Sequence, residues 1–253
     1  MRIIAYIHIG AMELTVTQPI VDELVQRMIE SGLYDKLEAI RVGVVGSESK
    51  MIVLPRKASV VFYNDDASVY EIPTLNNMHD FASKNKDTLI LYVHTKGATQ
   101  KRCNGVNYQI EWSRLMQHFC IDRHEQCIRL LDTYKTVGCL MEADHYCGNF
   151  WWARGDYIAT KKKISPDKSG WGRGGEFWIM NPPIKNSHVS LFDSNLQRKT
   201  GPPCNGLYGN YVLDYQTHNE KTYRINFETL VFVKFFLVSL VLLIVVRYAR
   251  FHT

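Results

Sequence analysis

Residues 88–97 read TLILYVHTKG, and this stretch decides the fold. Apolar and aromatic residues run to Val93, and the chain then meets His94, Thr95, Lys96 and Gly97. A short apolar run closed by a polar, glycine-terminated turn reads as a buried strand. In open α/β sheets ligands bind beyond the carboxyl ends of such strands. A His and a Lys two residues apart at that edge suit an anion, above all a phosphate.

The chain on the amino-terminal side of this strand alternates strand and helix signals. Arg2 to Ile9 reads as the first strand. Ile20, Leu24 and Met28, flanked by Val21, Val25 and Ile29, recur at helical spacing. Thr17 is the expected cap, Pro19 fits a first turn and Gly32 is the stop. Leu37 to Gly46 and Ala58 to Tyr63 read as two more strands, the latter closed by Asn64, Asp65 and Asp66. Pro73 to Lys84 reads as a helix. This order predicts the first half of an α/β nucleotide-binding domain. Beyond the opening strand, Gln100 to Gly105 reads as a polar loop. Tyr108 to Tyr134 is the longest helical stretch, with Trp112, Leu115, Met116 and Phe119 in one stripe. Asp156 to Lys161 reads as a short helix, Ser165 to Gly175 as a glycine-rich loop, and Ser187 to Phe192 as a strand.

At 253 residues and 46% hydrophobic, the chain has enough material for one substantial core. A net charge of +5 permits an anionic ligand or a membrane surface and does not call for nucleic acid, so none is expected. The six cysteines, at 103, 120, 127, 139, 147 and 204, form no CxxC pair. They read as reduced thiols. His145 and Cys147 are close in sequence, but no second ligand pair is spaced for a zinc site. Leu230 to Val246, LVFVKFFLVSLVLLIVV, carries one charge in 17 residues, which is the lower limit for a bilayer crossing. We read 1–225 as the globular domain, 230–246 as a single-pass C-terminal membrane anchor and 247–253 as a short basic tail. The globular domain is expected on the cytosolic side.

The order HIG at the end of the first strand, SGLYDKL, YVHTKG, HYCGNFWWA and GEFWI resembles GT-A-type glycosyltransferases of bacteria and large DNA viruses, including the N-terminal glycosyltransferase domain of chlorella viruses. The resemblance covers roughly residues 1–190. It implies a single GT-A-like, Rossmann-related domain with a mixed central sheet that binds a nucleotide-diphosphate sugar. It also implies transfer of a hexosyl or pentosyl group to a glycan or glycoprotein hydroxyl. GT-A enzymes commonly place an Asp-x-Asp after the fourth strand to hold Mn or Mg on the diphosphate. Here that place is taken by His94-Thr95-Lys96. A charged lysine is no metal ligand, but it can neutralise a diphosphate leaving group directly.

The remaining site expectations follow from this resemblance. Gly148 and Asn149 would contact the donor sugar, with Trp151 as a stacking face. His8 and Gly10 would border the base and ribose. Asp65 and Asp66 could hold a metal or the ribose hydroxyls, and Arg173 could clasp phosphate. His188 is an additional candidate ligand. Glu176 is the first choice for the base that takes the acceptor proton, and Asp144 the second. Two other readings stay open. Without Asp-x-Asp the chain could be an inactive, membrane-tethered sugar-binding protein. With a metal on Asp65 and Asp66 it could be a nucleotidyltransferase.

Overall fold

The computed structural model describes residues 1–98, 108–165, 173–182 and 184–193. The expected anchor at 230–246, the basic tail at 247–253 and the loop at 100–105 lie outside the described residues. Among the described residues no helix is long and apolar enough to cross a membrane.

The elements follow in chain order as β1 (Arg2–Gly10), α1 (Leu14–Glu30), α2 (Leu33–Lys36), β2 (Ala39–Val45), β3 (Ala58–Asn64), α3 (Ile72–Lys84) and β4 (Thr88–His94). They continue as α4 (Tyr108–Gln117), α5 (His124–Leu130), β5 (Thr136–Gly138), β6 (Trp151–Arg154), α6 (Gly155–Ile158), α7 (Arg173–Trp178) and β7 (His188–Ser190). The strands form one seven-stranded mixed sheet in the order β3-β2-β1-β4-β6-β5-β7. The first four are parallel, and β6 runs against both β4 and β5.

Two cores lie on the two faces of this sheet, because neighbouring strand residues point to opposite sides. Ala5, Ile7 and Ile9 of β1 join Leu89, Leu91 and Val93 of β4 in a core with α1, α4 and Trp152. Ile4 and Tyr6 join Ile90 and Tyr92 in a second core with α3, α6 and Trp151. The central strands β1 and β4 are buried on both faces, which is why they read as continuous apolar runs.

Two sequence expectations are corrected. Helix α1 begins at Leu14, so Thr17 lies inside it, and its Oγ1 donates to the Gly10 carbonyl at 3.1 Å. The cap comes from the next loop instead, where the Glu48 carboxylate accepts the Leu14 N–H. The long helix expected over 108–134 is interrupted by a π turn at His118–Asp122. That turn leaves the Cys120 carbonyl to accept the Trp152 indole N–H at 2.7 Å, and Arg27 of α1 holds Asp122 at 2.7 Å.

Candidate functional site at the carboxyl ends of the central strands

Strands β1 and β4 end side by side, with His8 paired to His94. The turn after β4 is stitched to β1: Thr95 N–H donates to the His8 carbonyl at 3.0 Å, and Thr95 Oγ1 accepts the Gly10 N–H at 3.0 Å. Gly97 then turns with φ +95°, where a side chain would be strained. These bonds hold the YVHTKG turn rigidly at the sheet edge.

Both histidines are hydrogen-bonded within the fold. His8 hydrogen-bonds Thr74 Oγ1 at 2.9 Å through Nδ1, and burial lowers its pKa to about 4. His94 Nε2 lies 2.8 Å from the Gly148 carbonyl. Burial first, and the neighbouring Lys96 second, lower the His94 pKa to about 3. His94 is therefore neutral at physiological pH and donates to Gly148. Of the two residues expected to face an anion, Lys96 is the cation.

Lys96 is half-buried, and its Nζ sits 4.1 Å over the Trp112 ring. Burial lowers its pKa, while the fields of Glu176, Glu71 and Cys147 oppose that shift. Among the described residues neither glutamate forms an ion pair with it within 4.0 Å.

Glu71, at the start of α3, is the residue that sequence reading missed. Its carboxyl accepts the Tyr92 hydroxyl and the Asn149 amide, the latter at 2.9 Å. Burial raises its pKa from 4.5 to about 7, and Glu176 adds to the rise; Tyr92, Lys96 and Asn149 pull the other way. The only signal in the sequence is a carboxylate just before Ile72-Pro73 at a helix start. Such a residue is ordinarily a surface group favoured by the helix dipole. Gly175 of α7 lets Glu71 in, since a Cβ there would stand 2.8 Å from Glu71 Oε1.

The segment before β6 closes the cluster. Gly148 and Asn149 both take left-handed backbone, with φ 88° and 60°. This turn aims the Gly148 N–H at Glu176 Oε1, 2.9 Å away, and the Gly148 carbonyl at His94. A Cβ on Gly148 would lie 2.4 Å from Met116 Sδ, so glycine is required twice over. The Asn149 side chain bridges Glu71 and the Trp151 indole N–H, which it accepts at 2.7 Å. Its amide thus positions Glu71.

Several expected site residues stand elsewhere. Trp151 is wholly buried between Tyr92 and Trp178 and has no face open to a ligand. Asp144 is exposed and bonds His145 Nδ1 at 2.9 Å. Asp65 and Asp66 lie beyond β3, at the sheet edge and two strands from β1. Asp65 accepts the Tyr63 hydroxyl at 2.5 Å, and Asp66 caps Ser68 at 2.8 Å. His188 bonds Thr136 Oγ1 at 2.7 Å, level with Ile90 and well below the strand end. It cannot share an ion with the aspartates. The side chain of Arg173 lies outside the described residues.

Gathered at the strand end among the described residues, then, are the cation Lys96, the carboxylate of Glu176 on a main-chain amide and the Glu71 carboxyl, which changes protonation near neutrality. Such a set can neutralise an anionic group and move a proton beside it.

No curated protein matches the chain. Among solved structures, Rv0371c with manganese from Mycobacterium tuberculosis H37Rv is 9% identical, covering 83% of this chain and 96% of that one, with a TM-score of 0.41. CMP:2-keto-3-deoxy-manno-octonic acid synthetase with CTP is 9% identical over 87% and 100% of the two chains, TM-score 0.43. The 4-diphosphocytidyl-2C-methyl-D-erythritol synthase of Anaerococcus prevotii is 12% identical over 84% and 96%, TM-score 0.38. Likenesses this loose transfer neither substrate nor mechanism. Sequence is more direct: the chain belongs to the DUF8361 family, a domain of unknown function whose profile matches residues 18–168, a span that holds Glu71, Lys96 and Asn149 but not Glu176.

Proposed function

We propose that the protein is a GT-A-like glycosyltransferase that moves a sugar from a nucleotide-diphosphate donor to a glycan or glycoprotein hydroxyl. The observation that carries this reading is the cation Lys96, set with Glu71 and Glu176 at the carboxyl end of the central strands. Lys96 neutralises the diphosphate as it leaves, a charge that grows in the transition state. Glu176, held by the Gly148 amide, takes the acceptor proton, and Glu71, raised to about 7, stands beside it. The Gly148 amide orients Glu176, and Asn149 with Tyr92 orients Glu71. The residues at the usual Asp-x-Asp position do not fit Mn or Mg. His94 donates to a carbonyl, Thr95 is spent on the main chain and Lys96 is cationic. No step is routed through a metal there. The apolar run 230–246 would hold this chemistry at a membrane surface.

The test is a panel of nucleotide sugars with glycan acceptors, read as release of nucleoside diphosphate. Glu176→Gln should lower kcat by roughly 100-fold or more. Lys96→Ala should lower kcat with little change in acceptor KM. Sugar binding without turnover would favour the tethered binding protein. Pyrophosphate release from a nucleoside triphosphate and a sugar phosphate, abolished in Asp65→Asn but not in Glu176→Gln, would establish the nucleotidyltransferase instead.

A further inference from the structure

One side-chain cluster outside this machinery has the donors, spacing and support of a metal centre. Between β5 and β6 the chain makes a hairpin in which Met141 and Tyr146 form an antiparallel bridge. The Glu142 N–H donates to the His145 carbonyl at 2.8 Å and the Cys147 N–H to the Leu140 carbonyl at 3.0 Å. The turn brings together three ligand atoms, from Glu142, His145 and Cys147, all within 4.8 Å of one another. His145 and Cys147 are only 7% and 4% exposed.

We propose that Glu142, His145 and Cys147 form a zinc site with a fourth coordination position open. The His145 ring is already oriented for it. Its Nδ1 lies 2.9 Å from Asp144 Oδ1, and Phe177 packs on the ring at 4.6 Å. A carboxylate only accepts, so Nδ1 carries the proton and the Nε2 lone pair is the free one. Nε2 points at Cys147 Sγ, 3.6 Å away. Zinc with bonds of about 2.3 Å to sulfur and about 2.0 Å to nitrogen, at tetrahedral angles, sets those two atoms roughly 3.5 Å apart. A carboxylate behind a metal-bound histidine is the usual supporting arrangement. The mixed sulfur, nitrogen and oxygen set selects zinc over magnesium or calcium. Sequence spacing supplied only the His145–Cys147 pair. The turn adds the half-buried Glu142, whose carboxylate lies within 4.8 Å of the other two ligand atoms. Cys147 adjoins Gly148, so the ion would border the strand-end cluster, yet its binding does not depend on the transfer reaction proposed above.

The experiment uses the full chain, stripped of metal and titrated with zinc against a competing chromogenic chelator, with cobalt(II) as a spectroscopic probe. The expected result is one equivalent of zinc and a cobalt complex with a sulfur-to-metal charge-transfer band and strong tetrahedral d–d bands. Cys147→Ser should abolish the charge-transfer band, and His145→Asn should shift the d–d bands. Asp144→Asn, at an exposed side chain, should weaken zinc about 10–100-fold. Substoichiometric zinc on the wild type overturns the site, as does zinc affinity unchanged in both Cys147→Ser and Asp144→Asn. In either case the hairpin holds only a thiol–imidazole contact.

Discussion

Replacing Glu71 by glutamine tests the electrostatics of the strand-end cluster without reference to any substrate. The Glu71 carboxyl is raised from 4.5 to about 7 in the folded chain, chiefly by burial and further by Glu176. The other groups facing it are the Tyr92 hydroxyl, the Asn149 amide and the Lys96 ammonium. Between these two pKa values the folded protein keeps a proton that the unfolded chain releases. Stability therefore falls as pH rises across that window, and the loss is complete a little above pH 7. At about 1.4 kcal/mol per pH unit, the full loss is about 3.5 kcal/mol, of which about 2.5 kcal/mol falls between pH 5 and 8. Glutamine keeps an acceptor oxygen for Tyr92 and Asn149 and cannot ionise. Urea unfolding of wild type and Glu71→Gln, followed by tryptophan fluorescence over pH 5–8, isolates the effect as a difference. The wild-type midpoint should drop relative to the variant by roughly 1 M over that range. Parallel profiles would show that Glu71 titrates normally and refute the account of its burial.

Two further expectations concern the frame around the site. Gly43→Ala puts a Cβ 1.9 Å from Thr74 Oγ1, the atom that holds His8, and Thr74 is fully buried. Overpacking of this kind should cost about 2–3 kcal/mol and lower Tm by roughly 5–10 °C, and an unchanged Tm would contradict the packing of α3 on β2. His94 should stay neutral, protonated at Nε2, throughout the physiological range, because burial and Lys96 lower its pKa to about 3. Imidazole nitrogen shifts measured by NMR check this, and a titration midpoint near the ordinary value of about 6.5 would sink it.

The strands β1 to β4 and helices α1 and α3 were legible because each carries its own signal. Buried parallel strands are continuously apolar, and helices that pack on a sheet repeat at i and i+4. The site was legible only as a place. TLILYVHTKG located the strand end and Lys96, and GEFWI located Glu176. Glu71 was not legible, because a glutamate before Ile72-Pro73 looks the same whether it faces water or a half-buried lysine. Trp151 and Asn149 were misjudged for the same reason. The types suit a sugar, but antiparallel pairing of β6 with β4 turns the indole into the core, and the left-handed turn before β6 sets the amide on Glu71.

The sequence by itself determined the alternation of strands and helices, the apolar central strands and the chemistry waiting at the end of β4. Those properties reside in runs of neighbouring residues. Only the tertiary structure decided that His94 is a neutral structural link, that Lys96 is joined by Glu71 as well as Glu176, and that the aspartates beyond β3 stand apart. Protonation and partnership depend on burial and on distances between residues far apart in the chain, and no local pattern encodes either.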